Sequence, residues 1–328
     1  MCSWSLYVRQ GLFECSRDLI YMYSYLTQIG NVDIFWTGSR LDQLPCHLPA
    51  VETPVKGSAI VQYRYYFNTV TFDYTAAFYD FEEWSLLLDW MALRGVNLPL
   101  AWDGYEYILV EVLSEAGLDE GDISDFLSGP AFQAWNRFGN IQESWGGLLP
   151  QQWINDQFAL QKQILQRMVE LGMTPVLPSF TGFVPRGLSK VFPNASIVAG
   201  SQWTGFPSSI TNDSFLEPTD PLYATLQKSF MTKQSDAYGN ISHIYTLDQY
   251  NENSPFSGDL GYLHNVSSNT LNSLRAADPK AIWLMQGWLF FSDSAFWTMD
   301  RIASYLGGVP GNDSMILLDL YSEAQPQW

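Results

Sequence analysis

The chain has 328 residues, of which 47% are hydrophobic and 15% are charged, a globular composition that excludes a disordered chain. Its formal net charge is −18, with only 16 Lys and Arg residues. Because such a field repels phosphate backbones, the charge argues against a nucleic-acid partner. No stretch approaches the roughly 18–20 uninterrupted apolar residues that a membrane-spanning helix needs, so we predict no membrane span.

Two features bear on the compartment. Five Asn-x-Ser sequons are typical of the secretory route, and they begin at Asn194, Asn212, Asn240, Asn265 and Asn312. The opening MCSWSLYVRQGLFECSRDLIYMYS has no basic segment followed by a clean apolar one, so no signal peptide is visible in this chain. The sequons nevertheless favour a full-length protein that is secreted, or lysosomal or vacuolar.

The pattern changes near residue 60. Residues 1–60 are irregular and end in a Pro-bearing link, LPCHLPAVETPVKGS, which predicts the remnant of a small preceding domain plus a linker. Residues 61–328 alternate short β-rich runs with longer helical ones. In FEEWSLLLDWMALRG, for example, apolar residues recur at helical spacing and Gly95 ends the helix.

The alternation indicates an α/β fold with a parallel sheet. The predicted strands lie at 63–72, 96–102, 173–180, 242–248, 281–288 and 314–320, the predicted helices at 81–95, 150–172, about 262–277 and about 295–306, and a variable loop at 181–241. Six β/α units in series favour a (β/α)8 TIM-type barrel, incomplete by about two strands. No Gly-rich phosphate turn follows the first strand, which argues against a doubly wound sheet.

In such barrels the chemistry lies at the C-terminal ends of the strands. The polar and aromatic residues that follow the predicted strands are Asn68, Trp102, Asp103, Glu106, Asn251, Glu252, Gln286, Trp288, Asp319 and Glu323. Glu252, in TLDQYNENSP, lies where a general acid could reach a glycosidic oxygen, and Asn251 could bind a neighbouring sugar hydroxyl. Taken alone, an Asn-Glu pair is a weak signal, because a glutamate on a loop is most often solvated surface.

The aromatic residues allow two interpretations. Aromatics form 16% of the chain, with 13 Trp, which fits either a large aromatic core or a cleft whose flat rings stack on sugars. Trp102, Trp135 and Trp288 are candidates for both roles, and Trp288 is the favoured sugar platform because it ends a strand.

Metal and triad chemistry lack sequence signals. His47, His243 and His264 are the only histidines, and they are spread over the chain without ligand spacing. There is no G-x-S-x-G elbow and no Cys/His nucleophilic pair. We therefore predict no metal site and no cofactor.

Several long blocks carry a resemblance to a known family. They are YRYYFNTVTF, DWMALRGVNLPLAW, GPAFQAWNRFGN, LGMTPVLPSFTGFVP, YNEN, WLMQGWLF and LLDLYSEAQP, in that order. Over residues 33–328 the chain resembles the α-N-acetylglucosaminidases of glycoside hydrolase family 89. The resemblance implies a small N-terminal α/β domain, a (β/α)8 barrel and a C-terminal all-helical domain.

The resemblance also implies a reaction. The family removes terminal α-linked N-acetylglucosamine with retention, in animals from lysosomal heparan sulfate, and its general acid/base falls on Glu252. Retention needs two carboxyl groups about 5–5.5 Å apart. The family's nucleophile belongs to a Met-x-Pro-Glu block that this sequence lacks. Glu323, in LYSEAQP, is therefore expected to bind or orient substrate rather than to attack.

The substrate-binding candidates are Asn68, Trp102, Glu106, Trp135, Asn251, Trp288 and Glu323. The expected partner is a glycan with terminal N-acetylglucosamine, and the charge of −18 makes a neutral glycan more plausible than a sulfated polymer. Two alternatives remain open: a non-catalytic carbohydrate-binding relative, and a barrel glycosidase with a different sugar specificity.

Overall fold

The structure is a computed structural model that describes residues 12–35, 38–48, 50, 58–203, 205–211, 213–320 and 324. Two residues that the sequence singles out, Glu323 and the sequon residue Asn212, lie outside the described residues.

The secondary structure alternates helices and short strands along the chain. The helices are α1 (Leu12–Gln28), α2 (Thr71–Tyr74), α3 (Phe81–Leu93), α4 (Tyr105–Glu115), α5 (Glu120–Phe126), α6 (Gln133–Arg137), α7 (Gln151–Glu170), α8 (Leu188–Val191), α9 (Ser208–Thr211), α10 (Pro221–Tyr238), α11 (Leu260–Ala277), α12 (Trp288–Ser292) and α13 (Met299–Gly307). The strands are β1 (Ile34–Phe35), β2 (Gly38–Ser39), β3 (Tyr65–Tyr66), β4 (Leu98–Pro99), β5 (Leu177–Pro178), β6 (Phe183–Val184), β7 (Ile197–Ala199), β8 (Ser214–Leu216), β9 (Ile244–Thr246), β10 (Ile282–Gln286) and β11 (Met315–Leu318).

Side chains set where the main helices begin. Asp80 accepts hydrogen bonds from two backbone N–H groups of α3, and the Glu83 side chain accepts one from the Asp80 N–H at 2.8 Å, which completes a capping box. Asp220 caps α10, and Pro221 occupies its first turn. Asp259 caps α11 in the same way.

Contacts divide the chain into two compact units. The first comprises Met1–Asn68, Phe78–Ala101 and Lys162–Pro175. Within it α1 packs against α3, and β3 pairs in parallel with β4. This grouping joins residues on both sides of the boundary that the sequence predicts at residue 60.

The second unit comprises Thr69–Ala77, Trp102–Gln161 and Val176–Trp328. Its main sheet is parallel, with the strand order β11-β10-β9-β5. Residues 283–286 of β10 are buried throughout, as expected for a strand covered on both faces. Helices α10, α11 and α13 pack side by side in this unit.

The six predicted strands are confirmed in position, but β3, β4 and β5 have two residues each where the sequence predicted seven to ten, and the described residues hold five further strands that were not predicted. Each of the six predicted runs contains one of the parallel strands β3, β4, β5, β9, β10 and β11. The first run is much shorter than predicted, because Phe67 adopts a φ of 110° that breaks the extended chain after Tyr66, and α2 begins at Thr71. The strands and helices support the barrel-type α/β class.

The prediction of a variable loop at 181–241 is wrong. These residues hold α10 and a three-stranded antiparallel sheet with the order β6-β8-β7. The strands have only two or three residues each, too few to produce a readable alternation of apolar and polar residues. The Asp220-Pro221 start of α10 is a readable helix signal that the prediction overlooked.

Among the described residues, none of the helices combines the length and the apolar character needed to cross a membrane.

Candidate active site

The loop that follows β9 carries the Asn-Glu pair, and side chains from distant segments hold it in place. Asn253 Nδ2 donates to the Gly139 carbonyl at 2.9 Å. The Ser254 N–H donates to Ser201 Oγ at 2.9 Å, and Ser254 Oγ donates to Asp293 Oδ2 at 2.5 Å. These bonds fix the residues immediately after Glu252.

The Gly139 anchor can only be a glycine. Its φ of 71° lies in the left-handed region, and a Cβ there would approach the Phe183 ring to 2.0 Å. The FGN sequence at this point therefore supplies both a turn and a carbonyl that receives Asn253.

Glu252 is half-buried, and its carboxylate is bound by two indole groups. Trp203 Nε1 donates to Oε2 at 2.8 Å, and Trp288 Nε1 donates to Oε1 at 2.9 Å. Neither donor carries a charge, and within the part of the chain that the structure describes no Lys, Arg or His forms an ion pair with this carboxylate. This leaves a half-exposed carboxyl group with a fixed direction, as acid/base chemistry at a sugar requires.

An aromatic stack supports one of these indoles, and we define it as Trp135, Trp203, Phe206 and Trp145. The Trp203 ring lies 5.0 Å from Trp135 and 4.6 Å from Phe206, at interplanar angles of 31° and 3°. Trp145 meets Phe206 edge-on at 5.9 Å. Trp203 was absent from the predicted site because it lies in the segment predicted as a variable loop.

A buried polar link joins the ends of β9 and β10 to the loop at Thr69. Asp248 accepts hydrogen bonds from the Gln286 N–H at 2.8 Å and from Gln286 Nε2 at 2.9 Å, and Thr69 Oγ1 donates to Gln286 Oε1 at 3.3 Å. Burial raises the pKa of Asp248 to about 6, against the opposing effect of the Gln286 bonds. Asp248 also escaped prediction, although its place directly after a strand is a signal.

A second cluster of carboxyl groups is sealed from solvent. Arg137 donates two hydrogen bonds of 2.7 Å to Glu106, and both side chains are 2% exposed. The guanidinium also lies 4.9 Å from the centre of the Trp102 ring. Burial raises the pKa of Asp103 and of Asp73 to about 7, and Arg137 opposes this in both cases.

This arrangement favours a packing role over sugar contact for two predicted site residues. The Glu106 side chain is 2% exposed and pairs with Arg137 through both oxygens, so burial keeps a sugar hydroxyl from reaching it. Trp102 is 4% exposed and packs against Phe72 and Phe138 as well as Arg137. For Trp102, the structure supports the core interpretation of the two that the sequence left open.

The other predicted residues divide into three groups. Trp288 and Trp135 are half-buried, the former bonded to Glu252 and the latter within the aromatic stack, and Asn251 is buried beside Glu252. Asn68 is exposed and belongs to the first unit. Glu323 lies outside the described residues.

The described residues hold no group of three or more His, Cys, Asp or Glu side chains suited to a metal ion. His243 is instead paired with Asp278, at 2.6 Å between Nδ1 and Oδ2.

Comparisons of sequence and of structure with known proteins give relatives of the same kind. Residues 64–328 match the family described as the α-N-acetylglucosaminidase tim-barrel domain. The human α-N-acetylglucosaminidase is 38% identical over 305 residues, which is 93% of this chain and 40% of the human protein.

Solved structures of a family 89 glycoside hydrolase from Clostridium perfringens match with a TM-score of 0.84 and 27% identity. The match covers 94% of this chain and 34% of theirs. One of them is in complex with PUGNAc, and another, with two glutamates changed to glutamine, is in complex with its substrate GlcNAc-α-1,4-galactose.

This chain thus spans well under half the length of these relatives. The family match extends over most of its residues and over every parallel strand of the fold. The chain therefore belongs to the α-N-acetylglucosaminidase tim-barrel domain family.

Proposed function

We propose that this chain carries the acid/base half of a retaining glycosidase that releases terminal α-linked N-acetylglucosamine, with Glu252 as the general acid/base. The observation that carries the proposal is the Glu252 carboxylate itself. It is half-buried, follows the parallel strand β9, and is oriented by two neutral N–H donors rather than locked by a cation.

The reaction would proceed in two steps. Glu252, protonated, gives its proton to the glycosidic oxygen as the bond to the anomeric carbon breaks, while a second carboxylate attacks that carbon and forms a glycosyl ester. Glu252, now ionised, then takes a proton from the water that hydrolyses the ester. The Met-x-Pro-Glu block that supplies the family's nucleophile is not in this sequence, and Glu323 is proposed to orient substrate.

The pocket around the sugar would draw on residues near Glu252. Asn251 is proposed to bind a sugar hydroxyl, and Trp288 and Trp135 to face the substrate with their apolar rings. Asn68 stays a prediction from the sequence. A neutral glycan fits the net charge of −18 better than a sulfated one, and the Clostridium relative was captured with a neutral disaccharide.

The wider architecture and the route of the protein are also proposals. We infer that the parallel strands belong to a (β/α)8 barrel, and that residues 1–60 combine a small α/β segment with a linker. Four sequon asparagines, Asn194, Asn240, Asn265 and Asn312, are exposed, which favours glycosylation on the secretory route.

The test is hydrolysis of 4-nitrophenyl α-N-acetylglucosaminide by the 328-residue chain and by its Glu252→Gln and Glu323→Gln forms. Glu111→Gln, an exposed change on α4, is the matched control. Because the family's nucleophile block is not in this sequence, we expect the 328-residue chain to bind the sugar without turning it over. In a longer form that also carries that block, we expect Glu252→Gln to abolish turnover and Glu111→Gln to preserve it. Loss of turnover with both Glu252→Gln and Glu323→Gln would make Glu323 the nucleophile.

Binding separates the alternatives. A chain that binds 2-acetamido-1,2-dideoxynojirimycin but turns over no glycoside even in a longer form that carries the nucleophile block would be a carbohydrate-binding relative. Turnover of a different aryl glycoside in a panel of sugars would indicate a barrel glycosidase of another specificity.

A further inference from the structure

We propose that Trp203 is a positioning residue for Glu252, and that the antiparallel sheet β6-β8-β7 serves the reaction by carrying it. This inference rests on the proposed function of Glu252 as the acid/base. Trp203 lies between β7 and β8, outside the parallel sheet, and is 49 positions from Glu252 in the sequence.

The Trp203 indole has one polar group, its N–H, and this group donates to Glu252. Its ring packs against two aromatic neighbours, Trp135 at 5.0 Å and Phe206 at 4.6 Å, and its N–H meets Glu252 Oε2 at 2.8 Å. The near-parallel contact with Phe206, at 3°, restricts tilting of the indole plane. A held ring with a directed N–H donor fixes the position of the oxygen that it binds.

Trp203 and Trp288 together fix the carboxylate more strongly than either alone. Trp288, at the start of α12, donates a hydrogen bond to Oε1, and Trp203 donates one to the other oxygen, Oε2. With both oxygens held, rotation about the last side-chain bond of Glu252 requires that at least one hydrogen bond breaks. A carboxyl group that is already held in the reactive orientation loses little conformational freedom on reaching the transition state.

How much the reaction rate depends on the orientation of the acid is set by the leaving group. A glycoside with a poor leaving group needs a proton on its oxygen as the bond breaks, whereas a dinitrophenolate departs without one. A defect in aiming the acid therefore slows the first kind of substrate and spares the second. A defect in packing alone slows both equally.

The experiment compares Trp203→Phe, which keeps an aromatic ring but removes the N–H, with Trp145→Phe in the same aromatic stack. Trp145 contacts Phe206 but has no bond to Glu252 among the contacts of the described residues. The kcat/KM is measured in a form of the protein that carries both Glu252 and the nucleophile block, with GlcNAc-α-1,4-galactose and with 2,4-dinitrophenyl α-N-acetylglucosaminide as the two substrates.

For Trp203→Phe we expect a loss of about 10-fold or more on the disaccharide and about 3-fold or less on the dinitrophenyl glycoside. For Trp145→Phe we expect equal small changes on both substrates. An equal loss on both substrates with Trp203→Phe, or no loss on either, would overturn the proposal.

A second measurement does not depend on turnover. The midpoint of thermal unfolding is compared for the starting chain, Trp203→Phe, Glu252→Leu and the double variant. We expect the penalty of Trp203→Phe to shrink when Glu252 is already absent, because the two side chains act through one contact. Additive penalties would mean that the indole does not act through Glu252.

Failure of the proposed function has a different signature. Full turnover of the disaccharide by Glu252→Gln would remove Glu252 from the acid/base role even where the unfolding cycle shows coupling. Turnover that Glu252→Gln abolishes and Trp203→Phe leaves intact on both substrates would instead overturn only the role of Trp203.

Discussion

Glu252 and Glu106 both lie a few residues past a parallel strand, and the protein holds them in opposite ways. Glu252 is half-buried, and its two oxygens accept hydrogen bonds from neutral indole groups. Glu106 is sealed, and its two oxygens accept hydrogen bonds from the guanidinium of Arg137. From the sequence alone the two residues were candidates for the same pocket.

The contrast separates a half-exposed carboxyl group, proposed as the acid/base, from a sealed one that is part of the packing. A buried glutamate paired with a buried arginine cannot give up its charge without leaving the arginine unpaired, which is costly. The half-exposed carboxylate of Glu252 has two neutral donors as partners, so no buried cation depends on its charge. The type of partner is therefore as informative as the distance to it.

The largest effect that would break the comparison is on turnover. In a form of the protein that carries the nucleophile block, we expect Glu252→Gln to lower kcat/KM about 100- to 10,000-fold on a glycoside with a poor leaving group, since the change would remove the proposed general acid. The same change keeps the size of the side chain, so the free energy of unfolding should fall by less than about 1 kcal/mol. Steady-state kinetics and urea unfolding measure the two.

Glu106→Gln provides the counterpart to that experiment. If its effect on turnover matched that of Glu252→Gln while the fold was preserved, the sealed glutamate would be part of the chemistry and the comparison would fail.

The next effect is on stability. We expect Arg137→Met to lower the free energy of unfolding by about 3–5 kcal/mol, because it leaves the buried carboxylate of Glu106 without its partner. Chemical denaturation measures the change. The double variant Arg137→Met with Glu106→Leu should recover most of the loss, and a double variant as unstable as the single one would contradict the explanation.

A third effect is the dependence of stability on pH. The pKa of Asp103 and of Asp73 is raised to about 7, and that of Asp248 to about 6, from an ordinary value of 3.8. Between about pH 4 and 7 the folded state thus binds protons more tightly than the unfolded state. Stability should rise as the pH falls from about 7.5 towards 4.5, and should be lost again as the pH rises through 6 to 7.

Thermal unfolding at a series of pH values measures this slope. Asp103→Asn should flatten it, because the amide does not titrate, while the exposed change Asp300→Asn should leave it as it is. A slope of the opposite sign in the starting chain would mean that these carboxyl groups are not buried as described.

The smallest effect concerns the anchoring of the Glu252 loop. Ser254→Ala removes the hydrogen bond to Asp293 at 2.5 Å, and we expect a loss of about 1 kcal/mol in the free energy of unfolding. The loop would be less well fixed, so we expect turnover to fall by up to about 5-fold. Ser257→Ala, further along the same loop, is the control for turnover. Unchanged turnover with Ser254→Ala would show that the two indoles hold Glu252 without help from the loop.

Much of the fold could be read from local patterns. Runs such as AIWLMQGW and SMILLDL are apolar throughout, and each contains a parallel strand. The position of Glu252 after the fourth of these strands followed from counting, since the C-terminal ends of parallel strands carry the chemistry. The prediction of a variable loop at 181–241 was wrong because the strands in this segment are too short for their periodicity to be read.

The sequence by itself therefore determined the class of fold and the order of its strands, because these depend on local apolar runs. Glu252 became the candidate acid through the resemblance of the blocks around it, since an Asn-Glu pair after a strand is a weak signal alone. Only the tertiary structure decided which side chains bind Glu252 and that Glu106 is part of the packing. Trp203 is 49 positions from Glu252, and Arg137 is 31 positions from Glu106. Local patterns carry no information about contacts over such separations, because folding of the intervening chain is what brings these side chains together.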